Sequence, residues 1–230
     1  MRVVATRERG RNDALRDWLP VSADLIEVPV TTTRFRDAGE VAEEATSLGV
    51  AFARALVVTS TRAVGYVELV AGALAAGAAV WSIGTATAEA LARVGWPPAA
   101  TASRAGEIAE QIVEGPVLAL VAREARDELG EVLTRRGIAW RALWCYETVG
   151  QALDADARRA LESADAVVIG APSAWRVAGP HVPASAWVVV PGLTTEEAVR
   201  RDHERVLVGW DRATGARLAA LTDPPHGDPA

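Results

Sequence analysis

The sequence predicts an α/β fold with parallel sheets, and three observations carry that expectation. Short Val- and Ala-rich runs recur, each is followed by a segment with helical apolar spacing, and Gly or Pro closes most of the units. Strands that alternate with helices are joined by right-handed crossovers, which set parallel strands side by side with helices over both faces.

Taken in order, the runs are 3–6 (VVAT), 25–30 (LIEVPV), 55–60 (ALVVTS), 79–84 (AVWSIG), 117–122 (VLALVA), 141–149 (RALWCYETV), 166–170 (AVVIG), 187–192 (WVVVPG) and 205–210 (RVLVGW). The first stops where RERG turns charged and the second where three threonines begin. The third ends on Ser60, the fourth on Gly84, the fifth before Arg123 and the sixth before Gly150. The last three end on or next to glycines, at Gly170, Gly192 and Gly209. Most of these stops are Gly, Ser or Thr, residues that leave a strand readily or open a helix.

The order also repeats. ALVVTSTRAVGYVELV, AVWSIGTATAEALARVG, a short strand and RAGEIAEQIV return as DAVVIGAPSAWRVAG, WVVVPGLTTEEAVRRD, RVLVGW and RATGARLAAL. Gly84 and Gly192, 108 positions apart, each end a strand and open a Gly-x-x-Thr turn into a helix. Two similar domains are expected. The opening strand–helix unit has no counterpart before the first copy of this pattern, and the second copy lacks an opening unit. The chain therefore starts in one domain (1–30 and 150–230), builds the other as an insert (34–143), and crosses on two antiparallel strands near 28–33 and 144–149. Tyr146, one of two tyrosines, falls on the returning strand.

Composition narrows the chemistry. The chain has 230 residues, half of them apolar, enough for a sizeable core. No apolar run is long enough to span a membrane, and MRVVATRERG turns charged too early for a signal peptide, so a soluble cytoplasmic protein is expected. Cys145 stands alone, which excludes an internal disulfide and multi-cysteine metal centres. All 24 basic residues are arginine. Without lysine there is no Schiff-base or pyridoxal-phosphate chemistry and no Walker A loop. The net charge of −6, without a basic block, argues against a nucleic-acid partner. His181, His203 and His226 lie too far apart in sequence to suggest a metal site or a triad. The tail, 223–230, reads as disordered.

Candidate binding residues lie just beyond strands. Gly84, Thr85 and Thr87 in GTAT and Gly192, Thr194 and Thr195 in GLTT occupy turns where free backbone N–H groups and the helix dipole favour an anion. The same threonines could equally serve as helix caps. Ser60 and Thr61 in TSTRAV and Ser173 in GAPSAW hold the corresponding turns one unit earlier. Arg7 and Arg123 each follow a strand. Loops of this kind converging on a cleft suit a polyanion. Of eight tryptophans, Trp144 and Trp175 are placed to flank an aromatic ligand or to fill the core.

VVATRERG, IEVPV, VVTSTRAV, SIGTATAEALARVG, LVAREARDELGEVLTRRG, CYETV and VPGLTTEEAV, in this order and spacing, resemble the uroporphyrinogen-III synthase family over nearly the whole chain. The resemblance implies two flavodoxin-like domains joined by a two-stranded β-ladder, a monomer, and no cofactor. It implies cyclisation of hydroxymethylbilane, an octacarboxylate linear tetrapyrrole, to uroporphyrinogen III with loss of water and inversion of ring D through a spiro intermediate. The family's catalytic Tyr maps onto Tyr146; a phenol is a neutral donor at pH 7 and can hydrogen-bond to the departing hydroxyl. Gly170 and Ala171 stand where the family often has Thr-Ser, and Arg62 lies where Asn commonly follows TS. Two other readings fit these departures: a cyclase or dehydratase acting on another substrate, and a non-catalytic protein that binds a tetrapyrrole or other polyanion.

Overall fold

The computed structural model describes residues 1–10, 12–49, 52–125 and 127–222; the tail expected to be disordered lies outside them. The first strands and helices are β1 (Arg2–Ala5), α1 (Asp13–Arg16), β2 (Asp24–Glu27), β3 (Thr31–Phe35), α2 (Ala38–Ser47) and β4 (Ala53–Val58). A 3-10 turn, Thr61–Tyr66, leads into α3 (Val67–Val70), β5 (Leu74–Ile83), α4 (Thr85–Arg93), β6 (Ala100–Ala102), α5 (Ala105–Gln111) and β7 (Val117–Ala122). Then come α6 (Glu128–Arg135), β8 (Trp140–Gly150), α7 (Ala155–Glu162), β9 (Ala166–Val168) and α8 (Pro172–Ala178). The last elements are β10 (Trp187–Val190), α9 (Leu193–Val199), β11 (Val206–Val208) and α10 (Arg212–Thr222). The fold is α/β with parallel sheets, as the alternation of runs predicts. None of the described helices is long and apolar enough to cross a membrane.

Two compact units are present, one made of Met1–Thr32 and Val149–Ala230, the other of Thr33–Thr148. The first holds a five-stranded sheet ordered β11-β10-β9-β1-β2, parallel throughout. Its central strands are apolar on both faces. Val4, Val167, Val188 and Val190 pack into one cluster, while Val3, Ala5, Ala166, Val168 and Val189 pack into another. Successive side chains on a strand point to opposite faces, so a run of Val and Ala serves both layers at once.

The second unit repeats the device in a sheet ordered β3-β8-β7-β4-β5-β6. Leu56, Val58, Leu118 and Leu120 face one core; Ala55, Val57, Val117 and Ala119 face the other. Each such fully buried Val or Leu contributes about 1.5–3 kcal/mol relative to exposure. Here β4 through β8 run parallel, and β3 closes the edge beside β8. Arg36 N–H donates to Cys145 O at 2.9 Å and Gln151 N–H to Val30 O at 2.8 Å. Rising numbers on one strand thus meet falling numbers on the other, the antiparallel sense.

Several boundaries differ from the sequence reading; β5, for one, begins at Leu74, five residues ahead of its run. LIEVPV is not one strand: β2 ends at Glu27 and β3 begins at Thr31. Pro29 in between has no N–H for a ladder and restricts the residue before it. After β4 the expected helix is split into the 3-10 turn and the four-residue α3, with Gly65 inside the stretch, where it weakens a helix.

Candidate functional site

Because β5, β4, β7 and β8 are parallel neighbours, their carboxyl ends lie along one edge of the second unit's sheet. That edge gathers Ser60 and Thr61 after β4, Gly84, Thr85 and Thr87 after β5, Arg123 after β7, and Tyr146 near the end of β8. In the first unit, β10, β9 and β1 do the same for Gly192, Thr194 and Thr195, for Ser173, and for Arg7.

The two Gly-x-x-Thr turns differ in detail. Gly84 has φ 80°, ψ 143°, a conformation that favours glycine, whereas Gly192 is extended at φ −180°, ψ 179°. Capping does not account for the threonines: Gly84 and Gly192 are themselves the N-caps, and neither α4 nor α9 has a side-chain cap. Thr87 and Thr195, each third in its helix, are buried, while Thr85 and Thr194 are exposed. At three other helix starts, those of α2, α7 and α10, a carboxylate is the cap. Asp37 accepts from Gly39 and Glu40 N–H, Asp154 from Ala157 N–H, and Asp211 from Thr214 N–H. That last bond holds the Asp211 carboxyl below its ordinary range. In the 3-10 turn, the Ser60 hydroxyl caps Arg62 N–H at 3.3 Å.

Tyr146 is 7% exposed and carries the Arg62 guanidinium 5.7 Å above its ring centre. Its position depends on an irregularity in β8. Val121 pairs with Trp144, but Ala122 pairs with Tyr146, leaving Cys145 as the extra residue of a bulge. Regular alternation would send Cys145 and Tyr146 to opposite faces; with the bulge both join the cluster of Leu118 and Leu120. Burial pushes the Cys145 thiol up to about 12, so it is a packing group and not a nucleophile. The other tyrosine, Tyr66, donates its hydroxyl to Arg36 O at 2.6 Å and is raised by burial.

Beside Tyr146, Glu147 joins two arginines. Arg34 reaches Oε1 through Nε at 2.7 Å and also through Nη2, and Arg123 Nη1 meets Oε2 at 3.3 Å. The Arg34 hydrogen bond, foremost, holds the Glu147 carboxyl below the usual carboxylate range. Arg123 N–H also donates to Tyr146 O at 2.8 Å. Two guanidinium groups lie over the Trp144 ring, Arg36 at 4.7 Å and Arg123 at 5.2 Å. The sequence reading included Arg123 among the binding candidates but not Arg34, Arg36 or Glu147, the carboxylate that joins Arg34 to Arg123. In the register set by Arg36 N–H on Cys145 O, Arg34 lies opposite Glu147, an opposite-charge cross-strand pair that the sequence carries once the register is known.

In the first unit, the Arg7 guanidinium lies 5.0 Å from the Trp210 ring centre. Gly170 lies beside both: a Cβ there would be 3.4 Å from Arg7 Cγ and 3.6 Å from Trp210 Cη2. Ser173 follows Pro172 at the start of α8 and is partly buried. Trp175 is core; it is 5% exposed and its indole donates to Asp202 at 2.8 Å.

Comparison with known proteins agrees with this architecture. A search of curated proteins finds no match. The structure resembles uroporphyrinogen-III synthetase from Helicobacter pylori with a TM-score of 0.64 at 17% identity, over 95% of this chain and 98% of that one. It also resembles a mutant uroporphyrinogen III synthase from Thermus thermophilus with a TM-score of 0.61 at 19% identity, over 96% and 97%. At such identities the likeness speaks to the fold. The family profile described as uroporphyrinogen-III synthase HemD matches residues 21–219, and on that match the chain belongs to the uroporphyrinogen-III synthase family.

Proposed function

We propose that the chain is a uroporphyrinogen-III synthase, a hydro-lyase that cyclises hydroxymethylbilane to uroporphyrinogen III with inversion of ring D. The observation that carries this reading is the family match over residues 21–219. Support from the site comes from the hydroxyl-, Gly- and Arg-bearing turns gathered at one sheet edge in each unit, a chemistry suited to many carboxylates. In the same reading the units are flavodoxin-like domains, 1–30 with 150–230 and 34–143, joined by the two crossing strands. The enzyme is then a cytoplasmic monomer acting on a small molecule, without cofactor, nucleic acid or membrane.

The chemistry asks little of the protein in electrons. One C–O bond of the hydroxymethyl group breaks, one C–C bond closes the ring, and water leaves, with no net oxidation or reduction. Tyr146 is the candidate to hydrogen-bond to the departing hydroxyl, easing its loss as water. Closure at the substituted carbon of ring D gives the spiro intermediate; the bond from that carbon to its original methylene bridge then breaks and re-forms at the ring's free α-carbon, which loses its proton, so that the ring emerges inverted. Unaided closure gives the uninverted isomer, so the larger task is positioning: holding the chain bent toward the spiro route and away from direct closure. Ser60, Thr61, Thr85, Thr87, Ser173, Thr194 and Thr195, with Arg7 and Arg123, are the proposed carboxylate grips, and Gly84 and Gly192 allow close approach. Supplying hydroxymethylbilane and resolving the oxidised porphyrin isomers tests the reading: isomer III supports it, and isomer I at the rate of a control without protein contradicts it.

A further inference from the structure

We infer that Arg34 and Arg123, tied together by Glu147, form a carboxylate-binding fork beside Tyr146, with Glu147 as its positioning residue. The inference rests on the synthase reading for the identity of the ligand, and on the second unit's geometry for the site.

The two arginines come from different elements, Arg34 from β3 and Arg123 from the loop after β7, and both reach this carboxylate. The Glu147 side chain is 11% exposed, whereas those of Arg34 and Arg123 are 64% and 56% exposed. The anion is therefore the sunken anchor and the two cations its exposed arms. Each guanidinium has five N–H donors; Arg34 spends the Nε and Nη2 edge on Oε1, and Arg123 spends Nη1 on Oε2. Donors remain on both side chains, each of which is more than half exposed. With one anion between two cations the group carries a net charge of +1, in a protein whose overall charge is −6.

Orientation is fixed from a second side. Arg123 rests over Trp144, two positions before Tyr146, and its backbone N–H is bonded to Tyr146 O. A carboxylate bound across the fork thus lies close to the strand that carries the candidate proton donor. A guanidinium pre-organised in this way loses less freedom on binding than a free side chain. A surface ion pair serving stability alone would contribute little at these exposures.

The test titrates the full-length protein and its Glu147→Gln, Arg34→Gln and double variants with uroporphyrin III, an octacarboxylate, at low and high salt, and measures KM and kcat for isomer III. Wild-type binding that weakens with salt, a loss of about tenfold in affinity and a similar rise in KM in each single variant, and kcat within about twofold are expected; tenfold is the low end for losing an oriented ionic hydrogen bond. The double variant should lose little more than either single one, because the residues act as a unit. Unchanged affinity and KM in Arg34→Gln, whose exposed side chain can be replaced without loss of fold, overturns the inference, as does additive loss in the double variant. If the wild type binds uroporphyrin III in the Glu147-dependent way but forms no isomer III, the fork stands and the synthase reading fails.

Discussion

Tyr146 lies opposite Ala122 in the ladder of β7 and β8, although Val121, one residue earlier, lies opposite Trp144. The inserted Cys145 turns Tyr146 onto the face of the sheet that carries Leu118 and Leu120, where Arg62 covers its ring. A bulge at a strand end is a common means of re-aiming one side chain. Here it re-aims the residue on which the proposed chemistry depends.

Replacing that phenol should therefore separate chemistry from fold. Tyr146→Phe is expected to slow formation of isomer III by about a hundredfold, the low end of the range for a general-acid contribution, with unchanged circular dichroism. An unaltered rate would remove Tyr146 from the mechanism.

Tyr66→Phe should do the reverse. It deletes the 2.6 Å hydrogen bond to the Arg36 carbonyl, so a loss of about 1 kcal/mol in unfolding free energy is expected. The isomer ratio should not change. Denaturant midpoints and isomer analysis of one preparation check both halves, and a shift toward isomer I would show that Tyr66 serves the site.

Cys145 makes a pH prediction. Its thiol ordinarily ionises near 9.0 and is pushed up to about 12 in the folded chain. A group raised on folding stabilises fully below its unfolded value, and that contribution is lost as pH rises toward the folded value. Stability should fall between about pH 9 and pH 12, less steeply in Cys145→Ala. Iodoacetamide at pH 8 should label Cys145 only in denaturant; rapid labelling of the native protein would contradict its burial.

Gly170 offers a steric test. Its Cβ position is 3.4 Å from Arg7 Cγ, ordinary contact. Gly170→Ala should stay within about 1 kcal/mol of the parent. The added branch of Gly170→Thr must displace Arg7 or Trp210, at a cost of about 1–3 kcal/mol. Equal melting temperatures for the two variants would show that Arg7 and Trp210 do not set this space.

Much of this architecture can be read from sequence because parallel strands are written as plain runs. VLALVA and VVV need no partner information to announce a strand buried on both faces. The paired glycines likewise located the turns at Gly84 and Gly192. Their unlike backbones were hidden, because the identity Gly permits positive and extended φ alike. The bulge at Cys145 was hidden for a related reason: an inserted residue leaves the composition of WCYETV unchanged and appears only in its register with β7. Arg34 escaped notice because a single arginine in a threonine-rich strand looks like solvated surface until Glu147 is set opposite it. Gly170, a lost hydroxyl by family comparison, is in the fold the neighbour that leaves room for Arg7 and Trp210.

The most direct measurement of the central claim is a time course with freshly generated hydroxymethylbilane, with product oxidised and the isomers separated by chromatography. The account predicts uroporphyrin III as the dominant product, formed faster than the uncatalysed closure and in proportion to protein concentration. Uroporphyrin I alone, at the rate seen without protein, would contradict it.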